Sequence, residues 1–268
     1  MLIHFAHANG IPAASYKPLF TALAPHQVIY NPQFGHNPDY PYAGGWQYLA
    51  DELLDFLAQQ TTEPVLAVGH SLGSVISFIA ACKQPERFKG VLMLDPPLLW
   101  GKLAWAFRIA KLLGRSDDLT PAGKSKFRRR SWPSREQALQ YFASKKLFQF
   151  DAACFAAFSD VVVKPVAAGN ETHNEGAVEL TFDVDVEVGI FRNTPVNLKS
   201  YRRPEGVPIK VIHADRSDAS LKQCVIPFCD YFDLERQMIP GQHMFPLQQP
   251  KATVSLIQQF IQGVEHAD

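Results

Sequence analysis

The chain has 268 residues, is 47% hydrophobic and 19% charged, and carries 26 Lys+Arg against 26 Asp+Glu. That length predicts one globular unit of about 250 residues, or one core carrying an insertion, and 19 Phe with ordinary Gly and Pro usage exclude intrinsic disorder. A formal net charge of zero provides no global field for a polyanion, so no nucleic-acid partner is expected.

From the start of the chain, short apolar runs alternate with helical patterns. Leu2 to Ala6 reads as a strand, Ala14 to Ala24 as a helix and Gln27 to Tyr30 as a second strand. A Pro-, Gly- and Asn-rich loop, Pro32 to Gly45, precedes Trp46, Leu49, Leu53, Leu54 and Leu57 at helical spacing. Val65 to Val68 is too short for a helix, Ser71 to Cys82 is an apolar helix stopped near Pro85, and Gly90 to Leu94 repeats the strand pattern. The alternation lapses after Asp95-Pro96-Pro97 and resumes at Pro208, where Ile209 to His213 and Tyr231 to Met238 complete six candidate strands before a last helix, Lys251 to Ile261. The reading is an α/β fold with a mostly parallel central sheet, helices on both faces and a largely helical insertion. Residues 1–96 and 207–268 form the core, and 97–206 the insertion.

Within the insertion, residues 101–150 hold 12 Lys+Arg against 3 Asp+Glu, and residues 151–190 hold 1 against 8. These opposite halves are expected to attract each other or to face water separately. The stretch Leu98 to Phe107, with Arg108, Lys111 and Arg115 following, has a pattern that suits a membrane surface or a pocket lining, but Lys102 within its apolar arc favours packing over the sheet. Cys82, Cys154, Cys224 and Cys229 show no Cys-x-x-Cys spacing, so neither a disulfide framework nor a zinc site is expected. No basic leader followed by an apolar stretch opens the chain, and no window approaches about 18 apolar residues, so a cytoplasmic protein without an integral membrane segment is expected.

Gly69-His70-Ser71-Leu72-Gly73 is a Gly-x-Ser-x-Gly pentapeptide set between a strand and a helix. A serine on so sharp a turn projects its hydroxyl clear of the sheet, and the N–H of Leu72 at the helix start favours a developing oxyanion. A serine hydroxyl is inert near neutral pH without a base. His243, in the turn Pro240-Gly241-Gln242-His243-Met244 between the last strand and last helix, is the leading candidate, although His7 and His213 also lie near strand ends. A carboxylate should fix the imidazole tautomer. Asp218 ranks first, one turn beyond the strand Ile209 to His213; Asp95, ending the strand Val91 to Leu94, ranks second and Asp215 third. The second oxyanion donor should come from Ala6 to Pro12, through the N–H of Ile11 or Asn9. Without a donor set such as His-Glu-x-x-His, no metal and no organic cofactor is expected.

On the elbow at Ser71, the loop His7 to Pro12, the Gly-x-His loop at His243 and the order of elements, the chain resembles the α/β-hydrolase superfamily, in the branch with a helical cap between the sixth and seventh of eight strands. The resemblance implies a serine hydrolase acting on a small acyl substrate through an acyl-enzyme, with Ala214-Asp215-Arg216-Ser217-Asp218 similar to the family's Gly-x-x-Ser-Asp acid setting. His7-Ala8 stands where the family often has His-Gly, and relatives with the acid after the sixth strand keep Asp95 open. Ser rather than Asp at position 71 disfavours the haloalkane dehalogenase and epoxide hydrolase branches. Thioester, lactone or carbon–carbon cleavage uses the same triad, and a non-catalytic ligand-binding scaffold is the alternative of another class. Nothing in the sequence identifies a protein partner or the substrate-binding residues.

Overall fold

Strand residues that alternate between two apolar layers define the molecule's centre. The computed structural model describes residues 1–166 and 176–266. The chain opens with β1 (Leu2–Ala6), α1 (Lys17–Ala22), β2 (Gln27–Ile29), α2 (Gln47–Gln60), β3 (Val65–His70), α3 (Leu72–Lys83) and β4 (Phe88–Leu94). There follow α4 (Gly101–Leu112), α5 (Ala122–Ser125), β5 (Ser131–Trp132), α6 (Arg135–Ala143), α7 (Ala152–Val161), β6 (Val163–Pro165), β7 (Val178–Leu180) and α8 (Val184–Arg192). The chain then returns to the central sheet with β8 (Ile209–Ala214), α9 (Ala219–Phe232), β9 (Glu235–Ile239), α10 (Phe245–Gln248) and α11 (Pro250–Glu265).

Six of these strands form one sheet in the order β2-β1-β3-β4-β8-β9, with every pairing parallel. Parallel neighbours require crossovers, and the helices that supply them cover both faces. Val65 and Ala67 of β3, Val91 and Met93 of β4 and Val211 of β8 face the layer that holds α2, α3 and α9. Leu66, Val68, Leu92, Leu94 and Ile212 face the layer that holds α1, α7 and α11. The alternation is the period-two pleat, with both faces apolar because both are covered.

The covering helices follow from their spacing. Leu49, Leu53, Leu54 and Leu57 are the buried stripe of α2, and Val254, Ile257, Phe260, Ile261 and Val264 that of α11. Strand order reverses between β1 and β3, leaving a crevice at their carboxyl ends where this class of sheet places its sites.

Between β4 and β8, the described residues form the α-helices α4 to α8 and a small antiparallel sheet ordered β5-β7-β6. Ser134, Asp151 and Asp183 accept main-chain N–H groups at the starts of α6, α7 and α8, which fixes where those helices begin. The opposite charges of this region do meet: Arg128 pairs with Glu187, Arg130 with Asp185 and Arg135 with Asp160. Residues 167–175 of the expected 97–206 insertion lie outside the described residues.

Two sequence expectations shift. The last strand starts at Glu235, not Tyr231, because Tyr231 and Phe232 belong to α9, where both rings pack on Trp100. The stretch from Leu98 packs only in part. Leu98, Leu99, Trp100 and Phe107 are buried, but Trp105 is exposed. Among the described residues no helix is long and apolar enough to cross a membrane.

Candidate active site

Ser71 joins β3 to α3 with φ +53°, a left-handed conformation that a side chain adopts only when the surroundings impose it. A Cβ on Gly69 would lie 2.3 Å from the carbonyl oxygen of Gly73, and one on Gly73 would lie 2.1 Å from that of Ala6. Both partners are backbone and cannot yield, so strand, turn and helix approach this closely only with glycine at both positions. The Ser71 N–H donates to the Leu94 carbonyl at 2.9 Å, tying the elbow to the end of β4.

His243 reaches the elbow from the turn between β9 and α10, with its Nε2 3.0 Å from Ser71 Oγ. Its Nδ1 lies 2.6 Å from Asp95 Oδ2. A carboxylate only accepts, so Nδ1 carries the proton and the Nε2 lone pair faces the serine hydroxyl. Asp95 follows β4 directly with φ +47° and is 5% exposed. Burial works against its ionisation. Hydrogen bonds from His243, Ser217 Oγ and the Ala214 N–H outweigh that and hold its pKa below the ordinary carboxylate value.

Ser71, His243 and Asp95 thus meet at the crevice of a parallel sheet, and the comparisons with known proteins bear on the fold that carries them. The model of the alpha/beta hydrolase family matches residues 5–256. The chain belongs to the alpha/beta hydrolase family. Among solved structures, it is similar to E-2-(acetamidomethylene)succinate hydrolase, at 19% identity and a TM-score of 0.75, covering 97% of this chain and 91% of that one. It is also similar to the thioesterase domain from the curacin biosynthetic pathway, at 16% identity and TM-score 0.72, covering 96% and 90%. An esterase from a marine microorganism matches at 18% identity and TM-score 0.67, covering 97% and 94%. No curated protein matches.

Within this alpha/beta hydrolase, the carboxylate against His243 is that of Asp95, not the first-ranked Asp218. Asp218 is exposed just ahead of α9, its carbonyl accepting the Lys222 N–H, whereas β4 lies beside β3 and delivers Asp95 next to the elbow. The Ser-Asp segment meets the site through its serine: Ser217 Oγ donates to Asp95 Oδ2. Asp215 accepts the Gly241 N–H at 2.8 Å and so anchors the loop that presents His243.

The loop after β1 crosses the first turn of α3, where the Gly73 N–H donates to the His7 carbonyl at 3.1 Å. The N–H of Ile11, one of the two expected oxyanion donors, closes a turn on the Ala8 carbonyl at 3.1 Å. The Asn9 main-chain N–H has no hydrogen-bond partner among the described residues, and the Asn9 side-chain amide donates to the Glu187 carbonyl at 2.9 Å. Leu72 is the first residue of α3, so its N–H has no partner within the helix. His7 is fully buried, accepts the Phe34 N–H at Nε2 and donates from Nδ1 to the Ala8 carbonyl. Desolvation lowers its pKa to about 4, so it pins the loop as a neutral ring and is not placed to act as the base.

Sequence reasoning missed the residues behind His243. His70 Nε2 lies 2.9 Å from the His243 carbonyl, and Tyr16 Oη lies 2.7 Å from His70 Nδ1. A carbonyl only accepts, so His70 donates from Nε2 and receives the Tyr16 hydroxyl at Nδ1. Burial lowers the His70 pKa to about 3, keeping a second cation away from the His243 ring 5.3 Å distant. His70 is visible inside the pentapeptide, but its contacts 54 and 173 residues away leave no local signal. Among the described residues no group of three His, Cys, Asp or Glu side chains is arranged to hold a metal ion.

Proposed function

We propose that the protein is a serine hydrolase that cleaves a small carboxylic ester or related acyl compound through an acyl-enzyme, with Ser71 as nucleophile, His243 as general base and Asp95 as the orienting acid. The observation that carries this reading is the continuous contact from Asp95 Oδ2 through both nitrogens of His243 to Ser71 Oγ. Ser71 Oγ attacks the acyl carbon as its proton passes to His243 Nε2, and the carbonyl oxygen becomes an oxyanion facing the Leu72 N–H and a loop donor, for which Asn9 is the remaining candidate. Collapse expels the alcohol with the proton from His243. Water then attacks the acyl-serine by the same route, releasing the acid and restoring Ser71. Asp95, ionised because three donors meet it, stabilises the imidazolium formed in each half-reaction.

The region 97–206 serves in this reading as a cap over the crevice, closing a mostly apolar acyl pocket. The structural neighbours include a thioesterase domain as well as an esterase, and the same three groups serve either leaving atom. Turnover of matched oxygen and thiol esters ranks the two. A fluorophosphonate should label the wild type at Ser71 and leave Ser71→Ala unlabelled. A folded wild type that neither labels nor hydrolyses p-nitrophenyl esters of any chain length would instead favour a scaffold that binds ligand without catalysis.

A further inference from the structure

α4 is seated on the molecule by one face only. Phe107 is 1% exposed and Leu103 packs against the apolar layer that holds α2, α3 and α9. The opposite face is bare. Trp105 is 67% exposed and Leu112 82%, and Leu113, at the helix end, is 68%. Trp105, Arg108 and Leu112 recur at i, i+3 and i+7, which puts them on one stripe. The charges along it are uncompensated. Lys102 and Arg108 make no ion pair among the described residues, and Lys111 Nζ donates to the neutral amide of Asn193 at 2.7 Å. Among the basic residues further along the chain, Arg128, Arg130 and Arg135 do meet carboxylates.

An exposed Trp and Leu on a helical stripe edged by unpaired cations is the pattern of a helix lying in the plane of a lipid surface. We propose that this face of α4 docks on an anionic bilayer, with Trp105 and Leu112 entering the boundary between headgroups and acyl chains. Lys102, Arg108 and Lys111 then meet the lipid phosphates. Charge selects this occupant over a second copy of the chain. A two-fold contact through the same face would oppose Lys102 and Arg108 to their own equivalents, desolvating like charges with no carboxylate within α4 to offset them. The inference is independent of the chemistry at Ser71.

The test uses the full chain with vesicles of phosphatidylcholine alone, or with about one-third phosphatidylglycerol, read by co-sedimentation and tryptophan emission. Trp46, Trp100 and Trp132 are only 2%, 8% and 2% exposed, so an emission shift reports Trp105. The expected result is co-sedimentation and a blue shift with the anionic vesicles, both reversed as salt rises from about 0.1 to about 0.5 M. Lys102→Gln/Arg108→Gln should lower the partition coefficient by about tenfold or more, and Leu112→Ser should lower it without changing the thermal midpoint. Equal partition onto neutral and anionic vesicles, or full binding by the folded variants, overturns the proposal. So does a blue shift that appears without lipid as protein concentration rises, which would mean that a second copy covers this face.

Discussion

Asp95 receives three hydrogen bonds, from His243, Ser217 and Ala214, and each favours its charged form. Asp95→Asn keeps the shape but turns one acceptor into a donor, so the imidazole tautomer is no longer imposed. The substitution is expected to lower kcat on a p-nitrophenyl ester by about four orders of magnitude. Asp218→Asn, on an exposed carboxylate ahead of α9, should stay within about twofold of the wild type in the same assay. Tyr16→Phe removes one hydroxyl from a fully buried ring and leaves His70 free to turn its lone pair towards the His243 carbonyl. The expected outcome is a fall in kcat of about tenfold with KM unchanged, since the loss lies in how His243 is held and not in substrate contacts. An equal rise in KM, or an unaltered kcat, would remove the positioning role.

At the scale of elements, the junction β3–Ser71–α3 is rigid because the chain passes through it with no room for a single added carbon. Gly73→Ala would drive a methyl into the Ala6 carbonyl 2.1 Å away and is expected to cost about 3 kcal/mol or more in urea denaturation. The contact between the loop after β1 and α8 is also testable. Glu187 is 5% exposed and is met by Arg128 and by Ser125 Oγ at 3.0 Å, beside the loop whose Asn9 it holds. Arg128→Met leaves that carboxylate buried and unpaired, and should destabilise by about 3–5 kcal/mol, whereas Arg128→Met/Glu187→Met should recover most of the loss. Equal losses in the single and double variants would show that the pair is not coupled.

At the scale of the whole molecule, the buried side chains of His4, His7, His70 and Glu52 contribute in opposite senses to how stability depends on pH. Burial lowers the pKa of His4 and His7 to about 4 and that of His70 to about 3. These three side chains therefore bind up to three more protons in the unfolded chain than in the folded one as pH falls below about 6.5, and their contribution to stability is lost in that direction. Glu52 acts in the opposite sense. Its pKa is raised to about 7 by burial, partly opposed by the Gly35 N–H, so its contribution is present below about 4.5 and lost as pH rises towards about 7. Three histidines outweigh one carboxyl, so the thermal midpoint should rise from about pH 4.5 to about pH 6.5. Glu52→Gln should stabilise the protein at pH 8 and leave it nearly unchanged at pH 4, by an amount on the order of 3 kcal/mol. A gain of the same size at both pH values would show that ionisation of Glu52 is not the cause.

Local information was enough to place the strands, the elbow and the helix that follows it, because apolar period, turn glycines and chain order are written in neighbouring residues. Five of the six central strands lie within a residue or two of their expected positions. The sixth moved because Tyr231 and Phe232 have strand-like preferences that packing on Trp100 overrides. Ser71 and His243 were legible from their turns, but the partner of His243 was not. Asp95, Asp215 and Asp218 all follow strand ends, and only the adjacency of β3 and β4 decides which carboxylate arrives beside the imidazole. The same holds for the Tyr16–His70 contact, for the N–H of Ile11 that its own turn consumes, and for the bare face of α4. Each depends on which groups meet through space, and a hydrogen bond or a buried contact between residues distant in sequence leaves no periodicity in the chain from which to read it.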